Sequence, residues 1–267
     1  FTTLSITPHQ GVGLNPILQD AALAIHPSIL YLGYVIYIAP FTYSCLALLY
    51  PSHFNELMKA AVRFSKVGWL MLLVGISLGS WWAYRELGWG GYWFFDPVEN
   101  ISLIPLIMAI AFHHSLIFTL HNAKLSRWTL FFGLNIFPIT LIGSFLVRSG
   151  MLTSVHSFAD AGYTEFLLLI FISVFCFANI LYLTKFRSLS SPVLFPKSKE
   201  QGIFFANLFW LASVVTILFS IIYPVILKLM GEDVTVQLKY FTHTFIPLSV
   251  PIILLAGSFA YFKAKNL

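Results

Sequence analysis

The chain has 267 residues, of which 58% are hydrophobic and 9% are charged. Soluble domains typically carry about 25% charged residues, so this composition excludes a soluble globular protein and indicates an integral membrane protein. The net charge of +5 arises from basic residues that flank apolar stretches and form no groove-lining cluster, so it does not indicate nucleic-acid binding.

Seven apolar stretches each approach the ~20 residues that a helix needs to cross a bilayer. The predicted spans cover residues 28–49, 64–80, 101–120, 128–147, 163–184, 204–227 and 244–262. The fold class is therefore all-α: a polytopic membrane helix bundle of about seven spans, forming a single membrane domain over residues 1–267. Because the sequence begins at Phe1 and not Met, it is compatible with a natural start further upstream.

The basic residues predict the orientation of the bundle. Eleven of the 15 lie in the segments on one side of the membrane: Lys59, Arg63, Lys66, Lys124, Arg127, Lys185, Arg187, Lys197, Lys199, Lys263 and Lys265. The positive-inside rule assigns that side to the cytoplasm or the mitochondrial matrix. The other, outer side then holds eight of the ten acidic residues and faces the periplasm or the intermembrane space.

The outer segment before the first span carries a candidate metal ligand. Residues 14–20 are expected to form a turn or a short surface segment, and Pro27 is expected at the first helical position, where its missing N–H costs nothing. His26 would then lie at the outer end of span one. Two interpretations stay open for it. It could be a helix-cap or interfacial residue, or it could be a metal ligand, because His is the commonest metal ligand.

Span two contains Gly75 and Gly79, small residues that allow close packing of helices. Residues 81–100, here called the Trp-rich segment, follow on the outer side. They contain four of the seven tryptophans: Trp81, Trp82, Trp89 and Trp93. Aromatic rings interleaved with glycines favour a platform for a large, flat, apolar ligand at the membrane surface. The alternative is an interfacial aromatic belt, although belts do not pack Trp around Gly.

The end of the Trp-rich segment has the pattern of a helix start. Asp96 is expected to cap the helix, Pro97 to occupy its first position, and Glu99 to close a capping box. Asp96 could also hydrogen-bond the ligand. Within span three, His113 and His114 are candidates for function because ionisable groups inside a membrane are costly.

The loop after span four supplies two more candidates on the outer side, Arg148 and His156. Arg148 could clamp a carboxylate of the ligand, and the alternatives are pairing with Asp160 or with a lipid phosphate. Zinc would need more N, S or O ligands close together, whereas haem needs only two axial ligands and a flat apolar slot. The residue chemistry favours haem.

Five motifs resemble those of CcmF, the haem-lyase family of the System I cytochrome c maturation pathway. The Trp-rich segment resembles the family's tryptophan-rich "WWD" stretch, with Phe95 in place of its second Trp, and the match covers most of residues 11–255. The other matching segments are 14–20, 26–34, 114–116 and 148–159.

The resemblance implies the roles of three histidines. His26 and His156 match the axial ligands of the haem that is delivered, and His114 matches one ligand of a resident haem b in the bilayer. The platform would be formed by Trp81, Trp82, Trp89 and Trp93 beside Asp96 and Arg148. No residue is implied as a catalytic acid or base, and the second ligand of the resident haem is expected outside this sequence.

The implied activity is that of a holocytochrome c synthase subunit, which positions haem for thioether attachment to the C-x-x-C-H segment of apocytochrome c. The implied partners are a haem carrier of the CcmE type, a thioredoxin-like subunit of the CcmH type, membrane lipid and a second CcmF fragment. The expected location is the mitochondrial inner membrane, with the bacterial inner membrane as the alternative. The alternative functions are a CcmC-like haem exporter or handler without ligation and a haem-free scaffold.

Overall fold

The structure, a computed structural model, describes residues 13–14, 16–88, 91–122, 125–154, 163–185, 189 and 199–264. All regular structure in these residues is helical, which confirms the all-α prediction. Seven segments are long and apolar enough to cross a membrane: Ala21–Leu49, Pro51–Glu86, Pro97–His121, Ser126–Arg148, Thr164–Lys185, Gln201–Leu229 and Leu238–Leu255.

The described residues form nine α-helices and two short 3-10 helices. The α-helices are α1 (Ala21–Ile36), α2 (Ile38–Leu49), α3 (Phe54–Glu86), α4 (Pro97–Asn122), α5 (Ser126–Arg148), α6 (Thr164–Lys185), α7 (Lys199–Leu229), α8 (Leu238–His243) and α9 (Phe245–Ala264). The 3-10 helices are Pro16–Leu18 and Pro51–His53. Helices α4 and α5 carry much of the buried core, and α3 and α7 pack against α4.

The first predicted span consists of two helices that meet at Tyr37. Pro40 has no N–H to donate to the carbonyl of Ile36, so the helical hydrogen-bond ladder is interrupted at this point. The fully buried Tyr37 side chain crosses to α3, where its hydroxyl donates to the backbone oxygen of Ser65 at 3.2 Å. The single helix that hydropathy predicts is therefore broken near its middle.

Helix α3 is much longer than the predicted span of residues 64–80. It begins at Phe54 and ends at Glu86, so the predicted inner loop of residues 51–63 is mainly helical. The first six residues of the Trp-rich segment are helical too. Charged and polar residues at both ends of this helix lower the hydropathy without lowering the helix propensity, which explains the error.

Close approach of α1 to α3 depends on glycine. A Cβ atom on Gly75 would lie 2.8 Å from the backbone nitrogen of Leu30, and one on Gly79 would lie 3.1 Å from Cδ2 of His26. The predicted role of these two small residues in helix packing is confirmed. Side-chain hydrogen bonds also join helices, among them Thr119–Thr129 at 2.8 Å, Asn207–Ser115 at 2.8 Å and Asn179–Asn135 at 3.1 Å.

Candidate functional site

The two adjacent tryptophans at the end of α3 point to different environments. Trp82 is buried, and its indole N–H donates to the backbone oxygen of Ile17 at 3.2 Å. Trp81 is 46% exposed, and the Arg85 guanidinium lies over its ring, 4.2 Å from the centroid. The two rings therefore do not form one continuous surface. Trp89 lies outside the described residues.

Asp20 connects the outer N-terminal segment to α3. Its carboxylate caps α1 by accepting the backbone N–H groups of Ala22 at 2.7 Å and Leu23 at 3.2 Å. The same carboxylate forms an ion pair with Arg85 and is nearly buried. Together with the bond from Trp82 to Ile17, this pair holds the 3-10 helix Pro16–Leu18 against the Trp-rich segment.

His26 lies within α1, next to Trp82. The two rings are stacked, with centroids 6.2 Å apart and planes inclined by 24°. The predicted helix start at Pro27 is wrong, because capping by Asp20 starts the helix at Ala21 and leaves Pro27 inside it. The predicted position of His26 beside the Trp-rich segment agrees with this geometry.

The tautomer of His26 follows from its hydrogen bond. Nδ1 lies 2.9 Å from the backbone oxygen of Ala22, and a carbonyl oxygen can only accept, so Nδ1 carries the proton. Neutral imidazole then has its lone pair on Nε2, the arrangement found in metal-binding histidines whose other nitrogen is held by a backbone oxygen.

Two cavities meet at His26. The larger has a volume of about 180 Å³ and is lined mainly by apolar side chains, together with Trp82, Tyr31 and Tyr34. The smaller, of about 70 Å³, lies toward Gly79 and Trp93. The indole N–H of Trp93 is buried and has no hydrogen-bond partner among the described residues.

The predicted capping box at the start of α4 is confirmed. Asp96 accepts the backbone N–H of Val98 at 2.9 Å, and Glu99 accepts those of Phe94 at 3.1 Å and Asp96 at 3.2 Å. The carboxylate of Asp96 also accepts the hydroxyl of Ser154 at 2.7 Å. This bond, which the sequence did not indicate, attaches the loop after α5 to the Trp-rich segment. His156 lies two residues further on, outside the described residues.

Phe95 has a left-handed backbone conformation, with φ of 57°, which is unusual for a bulky residue. Its ring stacks on Phe241 of α8, with centroids 4.3 Å apart and planes inclined by 10°. Its backbone oxygen accepts the side-chain amide of Asn100 at 2.8 Å. The Phe found here in place of the family's Trp therefore has a packing role against the last two helices.

The adjacent histidines of α4 face opposite environments. His113 is half-buried, with Nδ1 3.1 Å from the hydroxyl oxygen of Ser65 on α3. His114 is exposed on the outside of the bundle, and its Nδ1 donates to the backbone oxygen of Ile110 at 2.9 Å. As for His26, this bond leaves the lone pair on Nε2. His113 is therefore packed against α3, whereas His114 is accessible from the membrane.

Arg148 is the last residue of α5 and is exposed. Among the described residues, no hydrogen bond or ion pair joins its guanidinium, and Asp160 lies outside them. Either anion that the sequence suggested, a ligand carboxylate or a lipid phosphate, can reach it from the outer surface.

The fold and this site define a polytopic helical membrane protein with an aromatic, histidine-containing cleft at its outer end. Residues 1–153 match the family described as "Cytochrome C assembly protein". The chain belongs to this family.

Relatives and a solved structure agree with that assignment. The chain is 41% identical over 261 residues to the cytochrome c-type biogenesis protein NrfE of Haemophilus influenzae, and 37% identical over 264 residues to the cytochrome c-type biogenesis protein CcmF of Escherichia coli. Each match covers 96% of this chain, but only 41% and 40% of the relative. The chain thus spans about two-fifths of the length of these relatives.

A solved structure titled "Cytochrome c Heme Lyase CcmF" has the same fold. It superposes with a TM-score of 0.73 at 24% identity, covering 90% of this chain and 36% of the other. The resemblance to CcmF-type proteins that the sequence motifs indicated is therefore confirmed.

Proposed function

We propose that this chain is the haem-holding part of a cytochrome c haem lyase and positions haem for attachment to apocytochrome c. The observation that carries the proposal is the placement of His26 against Trp82, where two cavities meet at the outer end of the bundle. In this account haem is the substrate, and His26 and His156 are its axial ligands.

The residues around His26 fit a flat apolar molecule with a metal at its centre. The Nε2 lone pair supplies a ligand, and aromatic and aliphatic side chains supply the apolar walls. The larger cavity, at about 180 Å³, is smaller than the ~300–1,000 Å³ of clefts that enclose whole ligands. Haem would therefore lie at an open surface with one edge exposed. An exposed edge is needed if the haem is to be passed to another protein.

The reaction is the addition of two cysteine thiols across the two vinyl groups of haem. Each addition forms one carbon–sulfur bond, moves the thiol hydrogen to the other vinyl carbon and converts the double bond to a single bond, so no oxidant is consumed. The chain would contribute orientation and protection from side reactions. No residue is proposed as a catalytic acid or base, and Asp96 and Glu99 are engaged in capping α4.

His114 is proposed as one ligand of a resident haem b within the bilayer. Its exposed imidazole has its lone pair on Nε2 and faces outward from α4, so a haem could approach it from outside the described bundle. Such a haem would supply electrons that keep the delivered iron reduced. His113, packed against Ser65, has a structural role in this account.

The proposed partners are apocytochrome c, a haem carrier of the CcmE type, an apocytochrome-handling subunit of the CcmH type and a second CcmF segment. The proposed location is an energy-transducing inner membrane, with the Trp-rich segment facing the periplasm or the intermembrane space. The mitochondrial membrane is the sequence-based expectation, and the bacterial sources of the relatives support the bacterial alternative.

The test is covalent haem attachment to a reporter. The chain is expressed with its partner subunits and a short cytochrome carrying one C-x-x-C-H segment, and haem that survives denaturing electrophoresis is quantified by peroxidase stain. His26→Ala should lower the signal at least tenfold. His53→Ala is the control, because His53 is an exposed histidine near the start of α3, remote in sequence from the Trp-rich segment.

Unchanged attachment in His26→Ala would contradict the proposal. Haem bound by the chain with no attachment in any variant would favour a haem handler without ligation.

A further inference from the structure

A third outer cavity adjoins the end of the Trp-rich segment. It has a volume of about 260 Å³ and shares no lining residue with the two cavities at His26. Four parts of the chain line it: the end of the Trp-rich segment, the turn after α5, the end of α7 with the loop that follows, and Phe241 of α8. The function proposed above does not use this cavity.

Asn100, which lines this cavity, carries a buried hydrogen-bond acceptor. The residue is 1% exposed, and its amide nitrogen donates to the backbone oxygen of Phe95 at 2.8 Å. Its amide oxygen is buried and has no hydrogen-bond partner among the described residues. A buried acceptor without a partner is costly, so this oxygen favours a ligand that brings an N–H or O–H donor.

Charges of both signs line the mouth of the cavity. The Lys228 ammonium donates to the backbone oxygens of Gly150 at 3.3 Å and Met151 at 3.2 Å, which are neutral acceptors. Asp233 lies on the following loop, and no salt bridge joins it to Lys228 or to another described residue. The ligand therefore meets a cation and an anion that do not neutralise each other.

The cavity also has aromatic walls. Phe94 and Phe95 contribute one wall, and Phe241, which stacks on Phe95, contributes another. Apolar side chains of a ligand can pack against these rings. A haem propionate would be a poorer ligand, because Asp96 and Asp233 both line the cavity and would repel an anion.

We propose that this cavity binds an extended peptide, the cysteine-bearing segment of apocytochrome c. A peptide backbone supplies N–H donors for Asn100 and Asp233 and carbonyl oxygens for Lys228, and its side chains supply apolar groups for the phenylalanines. The volume lies below the ~300–1,000 Å³ typical of clefts that enclose a whole ligand, so only a short part of the peptide is enclosed. The inference rests on the function proposed above.

The position of the cavity suits that substrate. Residues 94–97 line it, while their direct neighbours Trp93 and Val98 line the smaller cavity at His26. The proposed peptide site and the proposed haem site therefore adjoin each other along this short stretch of the chain. A short separation is what the reaction needs, because each cysteine sulfur has to reach a vinyl carbon.

The test is binding of a labelled synthetic peptide with a C-x-x-C-H motif whose cysteines are replaced by serine, which prevents covalent attachment. Fluorescence anisotropy is recorded with the full chain in phosphatidylcholine nanodiscs. Thr235→Trp fills the cavity from an exposed loop position and should raise Kd at least tenfold. Gln237→Trp is the matched control, because Gln237 lies on the same exposed loop but does not line the cavity.

Two neighbouring acidic residues, only one of which lines the cavity, give a second comparison. Asp233→Asn should raise Kd several-fold, whereas Glu232→Gln, next to it but outside the cavity, should not. Equal affinities of Thr235→Trp and Gln237→Trp for the peptide would overturn the inference. So would binding of short-chain phosphatidylethanolamine that Thr235→Trp abolishes while peptide binding stays unchanged, since the cavity would then hold a lipid headgroup.

Haem loading of the same variants, measured in the complex with the partner subunits, separates this inference from the function on which it rests. If Thr235→Trp leaves both peptide binding and haem absorbance unchanged, the docking site is wrong and the haem-holding function stands. If the wild-type chain loads no haem in the intact complex, the proposed function fails whatever the peptide does.

Discussion

Asp20 and Arg85 form an ion pair although 65 residues separate them in the chain. Asp20 also caps α1, and Arg85 covers the face of Trp81. One carboxylate thus fixes the start of the helix that carries His26 and ties it to the end of the helix that carries Trp82. The relative position of His26 and Trp82 depends on this pair.

Asp20→Ala should lower the free energy of unfolding by about 1–2 kcal/mol. About 1 kcal/mol comes from the helix cap. The rest comes from the ion pair, which is weakened by the partial exposure of Arg85. Thermal unfolding in detergent measures the effect. Glu165→Ala, an exposed acid at the start of α6, should change stability by less than about 0.5 kcal/mol.

Gly79→Ala should disturb His26 directly, because the new Cβ would lie 3.1 Å from Cδ2 and 3.3 Å from Nε2 of the imidazole. Overpacking of this kind costs about 1–3 kcal/mol. Haem affinity of the purified chain should fall in this variant.

A double-mutant cycle separates crowding of His26 from a general loss of helix packing. In a His26→Ala background the added methyl group has space, so Gly79→Ala should then cost much less stability. Equal destabilisation by Gly79→Ala in both backgrounds would show that the methyl group acts elsewhere.

Asp96→Ala should cost about 1–2 kcal/mol through loss of the cap of α4. Ser154→Ala removes the bond from the loop after α5 to Asp96 and leaves the cap intact. It should therefore cost less stability while increasing hydrogen exchange in residues 151–154. If Ser154→Ala left exchange in this loop unchanged, the contact with Asp96 would not be what holds the loop.

The sequence predicted the helices and the capping box because both depend on local patterns. Apolar runs of about 20 residues indicate spans, and Asp96-Pro97-Val98-Glu99 carries the signature of a helix start within four residues. The sequence also predicted that His26 lies near the Trp-rich segment, because both were assigned to the outer side of the membrane. Hydropathy and local signals were sufficient for these features.

Features that depend on pairs distant in sequence were not predicted. Arg85 was assigned to the outer side, but nothing local indicated its pairing with Asp20. Phe95 was identified as a substitution, yet its stacking on Phe241 requires the last helices to be in place. The break at Tyr37 did have a local signal, Pro40 inside an apolar run, which hydropathy does not register.

Substitutions of the two histidines of α4 should have different effects, one on stability and the other on haem content. His113→Phe removes a half-buried group that hydrogen-bonds Ser65, so it should lower the melting temperature. His114→Phe, at an exposed position, should leave the melting temperature nearly unchanged but remove the resident haem. Loss of haem in His113→Phe with retention in His114→Phe would reverse the assignment.

The most direct test of the account is the absorption spectrum of the purified complex, with haem quantified as the pyridine haemochrome. We compare the wild type, His114→Ala, and the double variant His26→Ala with His156→Ala. The account predicts that His114→Ala removes b-type haem, while the double variant retains it and alters only a separately loaded haem. Absence of haem from every form of the intact complex would contradict the account and favour a haem-free scaffold.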